Sequence, residues 1–190
     1  MLNIPSSCGW IEVICGSMFS GKSQELIRRL RLAKIAKQDV QAFNSSMDMR
    51  YGKNHIVSHD KSRIPCKPVR HARDILKEIK PDTKVIGVDE AHFFDPEIVD
   101  ICQKLANSGK RVIVAGLDQD YRGRPFENTA KLMALSEFVS KYLAICVVCG
   151  NPANHSQRIV KTRKRIDVGA SDKYEARCRK CFTPDTGDAA

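Results

Sequence analysis

Eight consecutive residues near the N-terminus have the types and the order needed to bind phosphate groups. They follow the pattern G-x-x-x-x-G-K-[ST] and comprise Gly16, Ser17, Met18, Phe19, Ser20, Gly21, Lys22 and Ser23. In such a loop the glycines let successive backbone N–H groups turn inward around an anion, and the lysine reaches the outer phosphates. The serine hydroxyl is suited to bind Mg²⁺. The pattern therefore predicts a site for a nucleoside triphosphate.

Two adjacent carboxylates, Asp89 and Glu90, follow a second apolar run at residues 85–88. In P-loop enzymes an Asp at the carboxyl end of a neighbouring parallel strand holds Mg²⁺, usually through water, and an adjacent Glu can accept the proton of the attacking nucleophile. Asp89 is therefore a candidate magnesium residue and Glu90 a candidate general base. The alternative is an ordinary loop start after a strand.

Four cysteines form two C-x-x-C pairs separated by 28 residues, Cys146 with Cys149 and Cys178 with Cys181. Four thiolates close a tetrahedral coordination sphere, which is typical of structural zinc. Such a metal would fold a segment that has few apolar residues of its own. A pair of redox-active C-x-x-C motifs is the alternative. The other four cysteines have no ligand spacing.

The apolar pattern indicates the elements that must position these groups. It predicts strands at 11–15, 40–43, 85–88, 111–115 and 142–145, and helices at 24–30, 71–79, 95–106 and 129–138, with Asp95 as an N-cap. Strands that alternate with helices and lack polar alternation predict a parallel sheet covered on both faces. The polar segment 48–68 predicts a loop or a flexible hairpin.

Composition excludes several classes of protein. The chain has 190 residues and a formal net charge of +10. No apolar run reaches the roughly 18 to 20 residues of a membrane span, and the N-terminus lacks the layout of a secretory signal, so we expect a cytoplasmic protein. The basic residues cluster in the first predicted helix and in residues 158–180, without a stripe of stacking aromatic residues alternating with them. Neither nucleic acid nor a membrane is therefore an expected partner.

Residues 89–92 also spell the Asp-Glu-Ala-His box of a large helicase group. Those helicases need two ATPase lobes, usually well over about 300 residues in all. Here about 145 residues precede the cysteine pairs, which suffices for one lobe. A P-loop ATPase acting on nucleic acid is the alternative function. A zinc-ribbon binding module with a vestigial nucleotide site is disfavoured because Lys22, Ser23 and both carboxylates are intact.

An ordered set of motifs resembles the type II family of cytosolic thymidine kinases. Besides the phosphate loop and both cysteine pairs, it comprises the segments 48–51, 58–59, 89–94, 116–118, 124–126 and 168–176. The resemblance covers nearly the whole chain. It implies an α/β fold with a P-loop, RecA-like parallel sheet and helices on both faces in residues 1–144. A small C-terminal zinc-ribbon or lasso domain, residues 145–190, would close over a nucleoside.

The resemblance also implies an ATP:thymidine 5′-phosphotransferase, with Glu90 as general base, Mg²⁺ on Ser23 and Asp89, and structural Zn²⁺ on the four cysteines. Deoxyuridine is a further expected substrate. The residues implied at the nucleotide, beyond the phosphate loop, are Asp48, Arg50, Asp89 and His92. Those implied around thymidine are Met18, Phe93, Leu117, Tyr121, Phe126, Ser156, Arg165, Ile166, Asp167, Val168, Gly169 and Tyr174. A homotetramer and feedback inhibition by thymidine triphosphate are implied as well.

Three residues depart from the commonest pattern of that family. His92 stands where Gln is usual, Tyr121 where Phe is frequent, and Ser156 where Thr is usual. Ser156 keeps the hydroxyl and Tyr121 keeps the ring. His92 is interpreted as a neutral hydrogen-bonding substitute, because Glu90 already fills the role of base.

Overall fold

The computed structural model describes residues 8–47, 54–58, 61–160 and 171–184. Its strands are β1 (Trp10–Gly16), β2 (Val40–Ser45), β3 (His55–Val57), β4 (Arg63–Pro65), β5 (Lys67–Val69), β6 (Val85–Asp89), β7 (Arg111–Gly116), β8 (Phe138–Tyr142), β9 (Ala144–Ile145), β10 (Pro152–Ala153), β11 (His155–Arg158) and β12 (Tyr174–Arg177). Its helices are α1 (Lys22–Ile35), α2 (Asp74–Glu78), α3 (Ile98–Asn107) and α4 (Glu127–Leu135), with a single 3₁₀ turn at Ala91–Phe93. None of these helices has the length and apolar character to cross a bilayer.

Within the part of the chain that the structure describes, six strands form one central sheet in the order β5-β2-β6-β7-β1-β8. Every neighbouring pair in it is parallel. Parallel neighbours need crossover connections; helices lie on all of them except the one from β2 to β5, where the β3–β4 hairpin intervenes. The predicted parallel α/β sheet is thus confirmed. The carboxyl ends of β1, β6 and β7 meet at one edge, where ligands bind in sheets of this type.

Both faces of the sheet are covered, as the unbroken apolar strands predict. Along β1, Val13 and Cys15 pack with α2, α3 and α4 on one face. Ile14 packs with α1 and the β3–β4 hairpin on the other face. Gly87 in β6 lets α1 approach closely, since a Cβ there would lie 2.6 Å from Leu30 Cδ1. This close packing fixes α1, and the phosphate loop before it, against the sheet.

The helix predicted at 129–138 and the strand predicted at 142–145 are wrong in their bounds. α4 ends at Leu135, and Phe138 opens β8, which pairs with β1 along its whole length. Just before this strand, the Ile11 backbone N–H donates to Glu137 Oε2 at 2.7 Å. Pairing with β1 therefore decides the conformation of a segment whose apolar spacing also fits a helix.

α2 and α3 both begin later than the helices predicted at 71–79 and 95–106. Asp95 was predicted to cap the second of these helices, and that prediction is wrong. Asp95 Oδ2 instead accepts the Ala72 N–H at 3.1 Å and so joins the segments that precede α2 and α3. The Asp95 side chain, which the local pattern predicts as the N-cap of a helix, therefore makes a long-range hydrogen bond instead.

The polar segment at 48–68 contains the antiparallel hairpin of β3 and β4, in agreement with one of the two forms predicted for it. β5 follows directly and adds a parallel edge strand beside β2, which the sequence did not predict. Residues 48–53, 59 and 60 lie outside the described residues.

After β8, the described residues form two small antiparallel pairs, β9 with β10 and β11 with β12. The apolar cluster around Cys146 and Cys178 contains only small fully buried side chains, namely Ala144, Ala153 and Ala176. So small an apolar core agrees with the predicted need for a metal to stabilise this module. We call the described residues between 144 and 184 the cysteine module.

Candidate active site

The phosphate loop joins the carboxyl end of β1 to the start of α1. Gly16 has φ 139°, and a Cβ there would lie 2.1 Å from Tyr142 O, so the position requires glycine. Gly21, directly before α1, has φ 85°. Lys22 Nζ donates to Ser17 O at 2.7 Å, which holds the ammonium beside the loop backbone. The loop combines a lysine with the positive end of the α1 dipole, as an anion site requires.

A hydroxyl and two carboxylates meet at the end of β6. Ser23 Oγ donates to Asp89 Oδ1 at 3.4 Å, and the Glu90 backbone N–H donates to the same oxygen at 3.0 Å. Burial raises the pKa of the Asp89 carboxyl to about 7, and the neighbouring charge of Glu90 adds to the rise. A nearby cation would favour the ionised form. Because Mg²⁺ prefers oxygen ligands of this kind, the residues present fit the predicted magnesium site.

Glu90 sits on a left-handed turn, with φ 52° and ψ 45°. Such a conformation is costly for a residue with a side chain, and it is concentrated at functional sites. The side chain is 16% exposed, and its Oε2 lies 3.6 Å from His92 Nδ1. A partly exposed carboxylate on a fixed turn can accept a proton from a bound hydroxyl group.

His92 is buried at the centre of a group of apolar side chains. Its Nδ1 accepts the Leu117 backbone N–H at 3.1 Å, so this nitrogen carries no proton in that contact. The rings of Phe93 and Phe126 lie 4.1 and 4.8 Å from the imidazole, centroid to centroid. Three of the predicted thymidine residues are therefore gathered around His92. Its own predicted place at the nucleotide stays a prediction.

Two hydrogen bonds join the phosphate loop to the cysteine module. The Met18 backbone N–H donates to Ser156 Oγ at 3.0 Å, and Ser17 Oγ donates to Ala153 O at 3.3 Å. Phe19 packs against the small apolar core of the same module. The sequence predicts Ser156 as a contact to the base, but no sequence pattern indicates its bond to the phosphate loop.

Two further predicted thymidine residues, Tyr121 and Tyr174, are linked by an arginine that sequence reasoning missed. The Arg158 guanidinium lies 3.5 Å from the centroid of the Tyr121 ring, and its Nη2 donates to the Tyr174 hydroxyl at 3.2 Å. Arg158 is only 7% exposed. In the sequence it opens a basic segment whose charges are typical of a solvated face, so nothing local distinguishes it from the other basic residues of that segment.

Seven of the predicted site residues lie outside the part of the chain that the structure describes. They are Asp48, Arg50, Arg165, Ile166, Asp167, Val168 and Gly169. Their roles stay predictions.

The four cysteines of the predicted zinc site converge, with all four Sγ atoms within 4.8 Å of one another. Cys149 Sγ lies 3.5 Å from Cys178 Sγ and 3.6 Å from Cys181 Sγ. Four sulfurs at about 2.3 Å from a central Zn²⁺ would lie roughly 3.8 Å apart, so the donor set fits this metal. Burial opposes ionisation of the Cys146 thiol, but backbone N–H donors lower its pKa to about 6. That favours the thiolate, which is the form that binds zinc.

These features define a class of protein. A parallel sheet with a phosphate loop, followed by an Asp–Glu pair at a neighbouring strand end, is typical of P-loop nucleotide-binding proteins. The four-cysteine module is of the kind that binds structural zinc. A family model described as thymidine kinase matches residues 9–182, and the chain belongs to the thymidine kinase family. It is therefore an enzyme, a kinase that uses ATP.

Two relatives illustrate how close this similarity is. The chain is 57% identical over 178 residues to a thymidine kinase of Rhodothermus sp. (strain ITI 518), covering 94% of this chain and 83% of the relative. It is 49% identical over 177 residues to a thymidine kinase of Bdellovibrio bacteriovorus (strain ATCC 15356 / DSM 50701 / NCIMB 9529 / HD100), covering 93% and 87%. The family predicted from the motifs is thereby confirmed. The alternative of an ATPase acting on nucleic acid is not favoured.

Proposed function

We propose that the protein transfers the γ-phosphate of ATP to the 5′-hydroxyl of thymidine, giving thymidine monophosphate, and that it also accepts deoxyuridine. The observation that carries the proposal is the Ser23–Asp89 hydrogen bond beside Glu90, on a chain whose relatives are named thymidine kinases. This contact joins the phosphate loop to the acidic pair, and phosphoryl transfer needs both.

Glu90 is the proposed general base. Its carboxylate accepts the proton of the 5′-hydroxyl while that oxygen attacks the γ-phosphorus, and the bond from the γ-phosphorus to the bridging oxygen breaks to release ADP. Lys22 and the N–H groups of the loop bind the phosphates and stabilise the charge that develops on them. Ser23 and Asp89 would hold Mg²⁺, which when bound supplies positive charge to the phosphate oxygens.

The thymine pocket is proposed to lie among two groups of side chains. One is the group around His92, with Phe93, Leu117 and Phe126, whose flat rings suit a planar base. The other comprises Met18 and Tyr121, with Ser156 and the main chain of residues 165–169 bonding the base edge and Tyr174 beside the sugar. Ser156 can accept from Met18 and still donate to a base, since a hydroxyl has one donor and two acceptor sites.

We propose residues 1–144 as the ATP-binding domain and 145–190 as a lasso domain that closes over the nucleoside. In support, the architecture changes from the parallel sheet to small antiparallel pairs after β8. The zinc of the lasso domain is structural in this proposal, because four thiolates leave no open coordination position. Asp48, Arg50 and His92 are proposed to lie near the nucleotide.

A homotetramer, feedback inhibition by thymidine triphosphate and a cytoplasmic location complete the proposal. Exposed apolar side chains lie along the edge strand β8 and beside it, and such edges are typical of surfaces that associate. They are Leu135, Val139, Leu143 and Ile145. Thymidine triphosphate carries the base that the nucleoside pocket accepts and the phosphates that the loop accepts, which supports its role as an inhibitor.

The test is a nucleoside panel with purified protein, ATP and Mg²⁺. We expect phosphorylation of thymidine and deoxyuridine and none of purine nucleosides. ATP hydrolysis that is stimulated by DNA and indifferent to thymidine would overturn the proposal.

A further inference from the structure

Arg158, which belongs to none of the recognised motifs, lies between Tyr121 and Tyr174. It ends β11, and its partner across the antiparallel pair is Tyr174 at the start of β12. Tyr121 comes from a different part of the fold, the loop between β7 and α4. The Arg158 guanidinium touches both tyrosines, so it connects the α/β sheet to the cysteine module.

The contacts of Arg158 differ from those of a surface cation. Arg158 and Tyr121 are both buried, so the guanidinium faces the ring where little water screens their attraction. The planar fork also directs Nη2 to the Tyr174 hydroxyl, and the Tyr174 ring centroid lies 5.6 Å from the guanidinium carbon. One rigid group therefore fixes the face of one tyrosine and the hydroxyl of the other.

A second arginine on the same ring provides a comparison. Arg122 lies 5.3 Å from the Tyr121 ring centroid, and its Nε donates to the Tyr121 hydroxyl at 2.8 Å. It is half-buried and belongs to the same loop as Tyr121. Among the contacts described here, those of Arg122 stay within its own loop, whereas those of Arg158 cross to the other part of the fold.

We propose that Arg158 is a positioning residue that fixes the spacing of Tyr121 and Tyr174 and so sets the width of the thymidine pocket. The inference rests on the proposed function, because that function places both tyrosines at the nucleoside. Arg158 acts on thymidine through the two rings and has no part in the transfer step. Its loss should therefore weaken nucleoside binding and leave the ATP site and the chemistry intact.

The decisive variant is Arg158→Met, which keeps an unbranched apolar stem and removes the charge and the donors. We expect the KM for thymidine to rise roughly ten- to thirty-fold, which corresponds to about 1.4 to 2 kcal/mol. The KM for ATP and kcat should stay within about twofold of wild type. The lost interaction stabilises the bound thymidine equally in the ground state and in the transition state, so its loss raises the KM for thymidine without lowering kcat. Arg158→Lys should fall between wild type and Arg158→Met, because it keeps the charge without the fork. Arg122→Met, the matched control, should raise the thymidine KM less than about threefold.

Zinc content and the unfolding temperature of each variant are measured together with the kinetics. An Arg158→Met protein that keeps its zinc and a wild-type thymidine KM overturns the inference. A variant that loses zinc, or whose two KM values rise equally, shows a merely structural role and overturns it as well. If Arg158→Met does not fold, Tyr174→Phe decides, because it removes the hydroxyl that accepts from Arg158 Nη2 and keeps the ring.

For Tyr174→Phe, a thymidine KM several-fold above wild type with unchanged kcat supports the inference, and an unchanged KM refutes it. Wild-type activity on thymidine in the same assay separates the two proposals. Its absence would overturn the proposed function and this inference with it, whereas its presence with an unaffected Arg158→Met protein would overturn the inference alone.

Discussion

Replacing Ser156 by alanine should weaken the sites for both substrates at once. Its hydroxyl accepts the Met18 backbone N–H at 3.0 Å, and Ser156 is only 3% exposed, so water has little access to take its place. A buried donor that loses its acceptor costs about 1 to 3 kcal/mol. At about 1.4 kcal/mol for each factor of ten, the loss corresponds to roughly 5- to 150-fold in affinity.

The assay is steady-state kinetics with each substrate varied in turn. Removing a contact to the base alone would raise only the KM for thymidine. Because the lost acceptor belongs to the phosphate loop, we expect the KM for ATP to rise as well in Ser156→Ala. Ser156→Thr is the matched control, since it keeps the hydroxyl, and it should stay within about threefold of wild type for both substrates. A wild-type KM for ATP in Ser156→Ala, whatever the KM for thymidine, would refute the reasoning.

Four other perturbations test separate parts of the account. Glu90→Gln should lower kcat by roughly 10² to 10⁴ with little change in substrate binding, because it deletes a proton acceptor without deleting volume; wild-type turnover where chemistry limits the rate would exclude Glu90 as the base. Deoxycytidine should be a poor substrate, because the hydrogen-bond donors and acceptors on the edge of its base are reversed relative to thymine. The mismatch leaves hydrogen-bonding groups of the pocket unsatisfied at a cost of about 1 to 3 kcal/mol each, and equal kcat/KM on thymidine and deoxycytidine would contradict the proposed pocket. Cys178→Ser should lower the zinc content from about one per chain and raise the KM for thymidine far more than that for ATP, whereas a zinc-free wild type with full activity would contradict the role of the metal. Hydrogen bonds from Arg28 and Arg29 hold the pKa of Glu25 at about 2, below its ordinary 4.5, so the stability it contributes is complete above about pH 5 and is lost as the pH falls toward 2. Denaturant titrations give the difference in unfolding free energy between wild type and Glu25→Gln, and this difference should shrink as the pH falls over that range. A difference that is constant with pH would argue against a contribution of ionised Glu25 to stability.

Most of the sheet could be predicted because parallel strands buried on both faces read as unbroken apolar runs. The phosphate loop was equally predictable, because its glycines are required by the local backbone conformation of the loop, and all of its motif residues lie next to one another in the sequence. Phe138 shows where this reasoning fails. Its apolar spacing fits a helix, and only pairing with β1 makes it the first residue of a strand.

The site was predictable where its chemistry is local and not where it depends on tertiary contacts. Ser23 and Asp89 belong to sequence motifs that predict a magnesium site, and in the structure a hydrogen bond joins them. The cysteine spacing likewise predicts a convergence that the structure contains. The buried place of Arg158 and the bond from Met18 to Ser156 arise from the packing of distant segments, and no spacing in the sequence encodes them.

The most direct test of the central claim is the stoichiometry of products formed from ATP and thymidine by the purified enzyme with Mg²⁺. Chromatography of the reaction mixture gives ADP and the phosphorylated nucleoside together, and phosphorus NMR identifies the hydroxyl that carries the phosphate. The account predicts one thymidine 5′-monophosphate for each ADP, at a rate that DNA does not change. ADP formed without thymidine monophosphate, or phosphate on the 3′-hydroxyl, would contradict it.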